Sequence, residues 1–132
     1  MATLGTPSIT FPSGTTYCAS NGHCIQVASF TNGKEDITYR CGGDYAHLAG
    51  TSSIMLDFSL ALAATDTAIV TALAPGATGI SEYHPFGDTA GNIEHDTTKA
   101  TVLKADLSDA AGKVVTLDVT LVWDNVSSAA AT

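Results

Sequence analysis

The sequence has few charged residues, and most of those are acidic. Charged residues make up 14% of 132 residues, with five Lys and Arg against thirteen Asp and Glu, so the formal net charge is −8. This balance argues against a nucleic-acid-binding surface, which neutralises phosphates with Lys and Arg. Hydrophobic residues reach 45%, too many for a disordered chain. With so few charges to solvate a monomer, we expect much of the surface to contact other copies.

Long apolar segments are also missing. The longest run, Leu60–Ala64, is far shorter than the roughly 20 residues that a membrane-spanning helix needs. Residues 1–17 have neither a basic start nor an apolar core, so we predict no secretory signal and expect a cytoplasmic origin. The three cysteines, Cys18, Cys24 and Cys41, are then expected to be reduced.

Motifs of catalysis and metal binding are absent as well. The sequence contains no Gly-x-Ser-x-Gly elbow, no phosphate loop and no His-Glu-x-x-His pair. The segment Glu82–Thr98 does gather His84, Asp88, His95 and Asp96, whose side chains are possible metal ligands. Their spacing fits neither a calcium loop nor a helical histidine pair. We therefore predict no enzyme, no metal site and no cofactor.

What the sequence does contain is alternation with a period of two, which is typical of half-buried strands. In Ser52–Leu62 and in Lys113–Trp123, apolar residues fall on one face and polar residues on the other. The predicted core consists of Ile54, Leu56, Phe58, Leu60, Ile69, Leu73, Leu117, Val119, Leu121 and Trp123. The polar faces carry Asp57, Ser59, Thr116, Asp118 and Thr120.

Turn and cap signals divide the rest of the chain. The predicted elements are a short strand at Ser8–Phe11, strands at Cys24–Phe30 and Asp36–Cys41 joined by the loop Thr31–Glu35, an irregular connection at Gly42–Gly50, a helix at Asp66–Ala74, a strand at Thr78–Tyr83, and a hairpin of Thr98–Ser108 with Lys113–Trp123 through Asp109–Gly112. Asp66 is the predicted N-cap of the helix, which Pro75-Gly76 ends.

These elements predict a mainly β protein, an antiparallel β-sandwich or partly closed barrel with one short flanking helix at about residues 66–74. We expect one domain over residues 1–132. It comprises an N-terminal arm at 1–23, a long inter-strand loop at 84–97 and a C-terminal arm at 126–132. The loop is too long for a minimal hairpin.

From about Ala46 onward the order of elements resembles a known family. A strand, a short helix and Pro-Gly lead to "EYHPFGDTAGNIEHDTTKATVLKA" and then to a hairpin ending in "VTLDVTLVWDN". This is similar to the major tail tube proteins of long, non-contractile-tailed (siphovirus-like) bacteriophages. The loop pattern P-x-G-x-T-x-G-N and the final Trp-Asp carry the likeness, which covers roughly the C-terminal two-thirds of the chain.

The resemblance implies a virion protein that assembles in the host cytoplasm. Its copies would form rings, usually hexameric, that stack into a tube by inserting a loop and terminal arms into the next ring. Double-stranded DNA would pass through the channel without specific binding, other tail proteins and a tape-measure protein would be partners, and no membrane binding is implied. The candidate stacking residues are His84, Pro85, Phe86, Gly87, Asp88, Thr89, Gly91, Asn92, Ile93, Glu94, His95 and Asp96.

In such a tube, the polar faces at Asp57, Ser59, Thr116, Asp118 and Thr120 are candidates for a hydrated, mildly anionic channel lining. A sheet face in contact with bulk solvent has the same polar pattern, so simple exposure to solvent is an open alternative for these residues. Two other classes of protein also stay open. One is a small β-sandwich binding module of the carbohydrate-binding or adhesin type. The other is a different virion component, such as a tail terminator or a capsid decoration protein.

Overall fold

A computed structural model of the chain describes residues 5–12, 14–18, 22–87, 89–108 and 114–131, with the backbone alone at residues 39 and 41. Its strands form an eight-stranded antiparallel sheet that does not close into a barrel. The predicted fold class, mainly β with one short helix and a sandwich-like arrangement, is confirmed.

The elements follow one another as β1 (Ser8–Thr10), β2 (Thr16–Tyr17), β3 (Ile25–Cys41), β4 (Asp44–Ala61), α1 (Thr67–Ala72), β5 (Thr78–His84), β6 (Ile93–Ser108), β7 (Thr116–Trp123) and β8 (Ser127–Ala130). The order across the sheet is β2-β1-β5-β6-β7-β4-β3, and β8 pairs with β6. The segments named as terminal arms therefore contribute strands, because β1 and β2 lie within residues 1–23 and β8 within 126–132.

The core lies on one face of the β4–β7 ladder. Its cross-strand pairs are Ile54 with Trp123, Leu56 with Leu121, Phe58 with Val119, and Leu60 with Leu117. Each of these side chains is at most 3% exposed. Leu73, directly after α1, is fully buried with them, and Ile69 packs against the cluster partly buried. Alternation places these apolar side chains together because successive residues of a strand point to opposite faces.

The sheet curls strongly over this core. Phe30 on β3 lies 5.3 Å from Tyr83 on β5, measured between ring centroids, although β6, β7 and β4 separate the two strands in the sheet. The same phenyl ring meets Trp123 edge-on at 5.0 Å. Curling buries one face of a single sheet as a sandwich would. Across the described segments, helical structure never reaches the length and apolarity required to cross a bilayer.

The predicted loop Thr31–Glu35 between two strands is wrong. Strand β3 runs unbroken for 17 residues, and Asn32 and Gly33 pair with Ile54 and Ser53 on β4. The register of the β3–β4 ladder shifts between Lys34 and Asp36, and the two strands remain paired on both sides of the shift. The predicted irregular connection at Gly42–Gly50 is also wrong. The turn is Gly42-Gly43, where Gly42 has a φ of 67°, and β4 begins directly after it.

The helix lies where the sequence predicts it, with Asp66 at its N-cap position. The Asp66 carboxylate makes no capping bond to the helix, however. It accepts a hydrogen bond from the Ala63 amide at 2.7 Å and so closes the preceding turn. After the helix, the Gly76 amide donates to the Val102 carbonyl at 2.8 Å, which fixes α1 against β6.

The inter-strand loop is shorter than predicted. Strand β5 extends to His84 and β6 begins at Ile93, so the connection spans only 85–92. Assigning Ile93, Glu94, His95 and Asp96 to a loop is therefore wrong. Pairing with β8 on one side, and with β5 at His95 and Asp96 on the other, holds this stretch in the sheet. Strand β7 begins at Thr116, and the predicted turn Asp109–Gly112 lies outside the described residues.

Candidate assembly surfaces and a polar cluster

The connection between β5 and β6 is folded on itself and tied to the C-terminal segment. The Asn92 amide donates to the Thr89 carbonyl at 3.1 Å, and the Asn92 side chain donates to the Phe86 carbonyl at 3.4 Å. Ala131 and this loop exchange two backbone bonds of 2.8 Å, from the Gly91 amide to the Ala131 carbonyl and from the Ala131 amide to the Asn92 carbonyl. Gly87 and Gly91 adopt positive φ, which a side chain would strain.

The candidate stacking residues consequently have different surroundings. Pro85, Phe86, Gly87, Thr89, Gly91 and Asn92 lie in the connection, and Phe86 is exposed. His84 is buried at the end of β5. Ile93 and Glu94 belong to β6, as do His95 and Asp96, and Asp88 lies outside the described residues.

A larger projection comes from β3 and β4, and sequence reasoning missed it. The β4–β7 ladder ends at Ile54, whereas the β3–β4 ladder continues to the pair Cys41–Asp44. We call residues 34–52 the β3–β4 arm. Its described side chains are exposed or half-buried, and they include the large apolar residues Ile37, Tyr45 and Leu48, which are 44%, 66% and 53% exposed. The signal that could have revealed the arm is Gly42-Gly43 between two β-rich runs.

Polar contacts order the arm without burying it. The Asp36 carboxylate lies 3.3 Å from His47 Nδ1, which is also 3.2 Å from the Thr38 hydroxyl. The Arg40 guanidinium lies 6.0 Å from the centre of the Tyr45 ring, within cation–π range. In the described part of the chain, the two strands of this hairpin pair with each other and with no other strand, and their exposed apolar side chains form a surface suited to contact with another molecule.

The five candidate channel-lining residues share one face of the β4–β7 ladder, opposite the core. Asp57 pairs with Thr120 and Ser59 with Asp118, while Thr116 pairs with Ala61. The Asp57 carboxylate accepts bonds from Thr120 Oγ1 at 2.6 Å and Ser29 Oγ at 3.2 Å, and Ser59 donates to Asp118 at 2.6 Å. These bonds fix both carboxylates on the sheet surface.

The same face extends onto β6, where it gains charges of both signs. Lys104 pairs with Thr120 and Asp106 with Asp118, and the Lys104 ammonium lies 3.1 Å from the Asp106 carboxylate. Around these pairs the face carries the carboxylates of Asp57, Asp106 and Asp118 and the ammonium of Lys104. The face is anionic in balance, in keeping with its acidic sequence, and it also contains a cation that the sequence pattern did not predict there.

The rim where β5 meets β6 brings together a second polar set. Glu82 pairs with Asp96 across the ladder, and His84 and Glu94 follow on the same face. The His84 Nε2 atom lies 3.8 Å from a Glu82 carboxylate oxygen. Burial, a hydrogen bond to Glu94 and the charges of Glu94 and Glu82 raise the pKa of Asp96 to about 7, against an opposing effect of His84.

His95 belongs to the opposite face and is not part of this set. Its ring stacks on Phe30 with centroids 5.1 Å apart and on Tyr83 at 6.0 Å, and its Nδ1 lies 2.7 Å from the Ser128 hydroxyl. Burial, together with the nearby His84, lowers the pKa of His95, and burial raises that of Tyr83. The four possible metal ligands weighed from sequence therefore do not converge: His84 and Asp96 share a face, His95 lies on the other, and Asp88 is not described.

This fold recurs in known structures of contractile injection systems. A chain of the PVC sheath–tube complex, an extracellular contractile injection system in its extended state, is 13% identical, with a TM-score of 0.68 and coverage of 98% of this chain and 92% of that one. A chain of the PVC sheath/tube terminator is 12% identical, with a TM-score of 0.63 and coverage of 98% and 96%. The cap that terminates the tube of the anti-feeding prophage gives 11% identity, a TM-score of 0.59 and coverage of 99% and 91%.

These likenesses span nearly the whole of both chains in each comparison, so this protein shares the fold of chains in an extracellular contractile injection system and in the anti-feeding prophage. No family model matches the sequence, and no curated protein matches it.

Proposed function

We propose that this protein is a structural subunit whose copies assemble into rings that stack as the tube of a phage-tail-like particle. The observation that carries the proposal is the likeness to a chain of a sheath–tube complex over 98% of this chain and 92% of that one. Agreement over both full lengths favours a shared architecture rather than a shared local motif. The role is structural, with no catalytic step.

The sequence resemblance supplies the finer part of the proposal. It places the protein in the tail of a non-contractile-tailed bacteriophage, in hexameric rings around a channel for double-stranded DNA, with a tape-measure protein inside. The solved relatives come from contractile systems, so the non-contractile assignment rests on the sequence patterns alone. An anionic sheet face is consistent with a channel lining, because a channel for DNA must avoid holding phosphates.

Two surfaces are proposed to join the copies. The first is the connection at 85–92 with the strand residues beside it, where the sequence resemblance places the stacking contact. The second is the β3–β4 arm, which exposes Ile37, Tyr45 and Leu48. An arm on one copy that meets a different surface on the next makes a heterologous contact, which can propagate along a filament.

A tube terminator is the second candidate function, because two of the similar structures are terminating components. A terminator uses the same fold to make one ring and then stops growth. The two functions differ in a directly observable way, since only a tube subunit continues to stack.

Negative-stain electron microscopy of the purified protein at high concentration, with sedimentation velocity over a range of concentrations, tests the proposal. Tubes with a central channel are expected for a tube subunit, and single rings that never lengthen would favour the terminator. A monomer at every concentration would contradict both functions. A sugar-binding titration on the same sample addresses the carbohydrate-binding alternative.

A further inference from the structure

The rim of the β5–β6 ladder gathers three metal-ligating side chains that the sequence had not grouped. Glu82 and His84 on β5 and Glu94 on β6 each offer one ligand atom, and the three atoms lie within 4.8 Å of one another. The ladder brings them together because Glu82 faces Asp96 across the two strands and residues two apart share a face. His84 is only 7% exposed, so one ligand is held in a nearly buried position.

The chemistry of the set is selective. One imidazole nitrogen and two carboxylate oxygens suit a first-row transition-metal dication such as Zn²⁺. Ca²⁺ instead prefers six to eight oxygen ligands and gains little from an imidazole. At Zn–ligand distances of about 2.0–2.2 Å, ligand atoms of a tetrahedral site lie roughly 3.3 Å apart. The His84–Glu82 separation of 3.8 Å is close to that value, and glutamate side chains can rotate to close the remainder.

The surroundings favour a bound cation. Glu82, Glu94 and Asp96 place three carboxyl groups on one small area of the β5–β6 ladder. A dication on the Glu82, His84 and Glu94 atoms would offset the same crowding with two positive charges, and water would complete its coordination.

We propose that Glu82, His84 and Glu94 form a binding site for a transition-metal dication, Zn²⁺ above all. The imidazole coordinates through Nε2, the atom nearest Glu82, and therefore carries its proton on Nδ1. The bound ion links the end of β5 to the start of β6 and so stabilises the rim from which the connection at 85–92 projects. It is a structural clamp on one chain, so the site does not depend on ring or tube formation.

Isothermal titration of the full-length, chelator-treated protein with ZnCl₂ tests the site. One saturable Zn²⁺ per chain is expected, with a rise in melting temperature on saturation. Glu82→Gln and Glu94→Gln keep the size of the side chains and should each weaken Zn²⁺ binding by at least about 10-fold, because even substitutions of residues that only support the ligands cost about 10- to 100-fold. His84→Gln should also weaken Zn²⁺ binding. If loss of the buried imidazole unfolds that variant, the two glutamate variants still test the site.

The exposed pair of Asp36 and His47 offers the matched control. It has one carboxylate beside one imidazole at 3.3 Å, on the β3–β4 arm, so His47→Gln should leave the Zn²⁺ affinity unchanged. Wild-type affinity in both glutamate variants, or a loss in His47→Gln equal to theirs, would overturn the proposal. So would Ca²⁺ binding as tightly as Zn²⁺, or the absence of saturable Zn²⁺ binding.

Discussion

Asp96 makes the stability of the described fold depend on pH. Its pKa is raised to about 7, first by burial and then by the neighbouring Glu94 and Glu82. An unfolded aspartate titrates near 3.8. Between these values the folded chain holds a proton that the unfolded chain has released. The contribution of Asp96 to stability is therefore complete below about pH 4 and is lost as the pH rises through 7.

Asp96→Asn should remove this contribution to the pH dependence. Urea unfolding midpoints measured from pH 4 to pH 8, with EDTA present, should fall with rising pH in the wild type and fall less in the variant. Equal slopes for Asp96→Asn and the wild type would show that Asp96 does not titrate as described.

Leu107 and Leu117 are cross-strand partners with very different environments. Leu117 on β7 is 3% exposed, whereas Leu107 near the end of β6 is 59% exposed. Leu117→Ala should lower the free energy of unfolding by about 2–5 kcal/mol, because it removes buried methyl groups and leaves a cavity. Leu107→Ala should cost below about 1 kcal/mol. Denaturant unfolding of both variants checks the contrast, and similar losses would contradict the assigned core.

At the scale of elements, β7 and β8 behave as one strand interrupted by a side-chain clamp. Ala100 of β6 pairs with Trp123 of β7, and Asp96 of β6 pairs with Ser127 of β8. The two ladders therefore share one register. In the gap, Asn125 Oδ1 accepts from the Thr97 hydroxyl at 2.9 Å and the Thr98 amide at 3.2 Å, and Asn125 Nδ2 donates to the Thr98 hydroxyl at 2.9 Å. One asparagine thus replaces the missing ladder bonds.

Asn125→Ala should loosen β8 more than the rest of the sheet. Three hydrogen bonds disappear, and the hydroxyl of the buried Thr97 loses one of its partners. Hydrogen exchange should show faster exchange of the β8 amides with β4 and β7 protected as before. Asn125→Asp keeps the two acceptor contacts and should be intermediate. Unchanged β8 protection in Asn125→Ala would mean that the backbone ladder alone holds the strand.

Deleting Gly87–Asp96 is not a clean test of the connection between β5 and β6. The sequence predicts a stacking loop here, and the deletion of a loop should spare the fold. In the structure that deletion removes Ile93–Asp96, which pairs with both β5 and β8. Misfolding would then be indistinguishable from lost assembly. Phe86→Ser tests the connection itself without cutting a strand, because Phe86 lies exposed in the turn.

For the whole molecule, the β3–β4 arm is the feature on which proposed assembly can be tested most directly. Replacing Ile37, Tyr45 and Leu48 together by Ser should leave the fold and the unfolding midpoint nearly unchanged, since the arm is outside the core. Ring or tube formation should be lost, because the exposed apolar contact is removed. Negative-stain microscopy and sedimentation velocity measure the outcome.

Leu103 is the control for this variant, because it is a comparably exposed apolar residue, at 59%, on the body of the sheet. Leu103→Ser should still assemble if the arm carries the contact. Normal tubes from the triple arm variant would exclude the arm as an assembly surface. Tubes lost in Phe86→Ser but kept in the arm variant would return that role to the 85–92 connection.

The sequence by itself determined the body of this protein. Alternation in β4 and β7, the helix after Asp66 and the Pro75-Gly76 stop depend on neighbouring residues, so a local pattern was enough to place them and the core side chains between them. Acidic balance and scarce charge likewise followed from composition. Strand continuity did not follow, because Asn32-Gly33 favours a turn locally, and only the long ladder with β4 outweighs that preference.

Only the tertiary structure decided which distant residues meet. Pairing with β8 and β5 drew Ile93–Asp96 out of the predicted loop, and the β5–β6 register set Glu82, His84 and Glu94 side by side while it turned His95 to the other face. The projection of the arm arises because β7 stops pairing with β4 at Ile54 while β3 continues. Register and strand length are set by partners far away in the chain, and for this reason no local pattern could specify them.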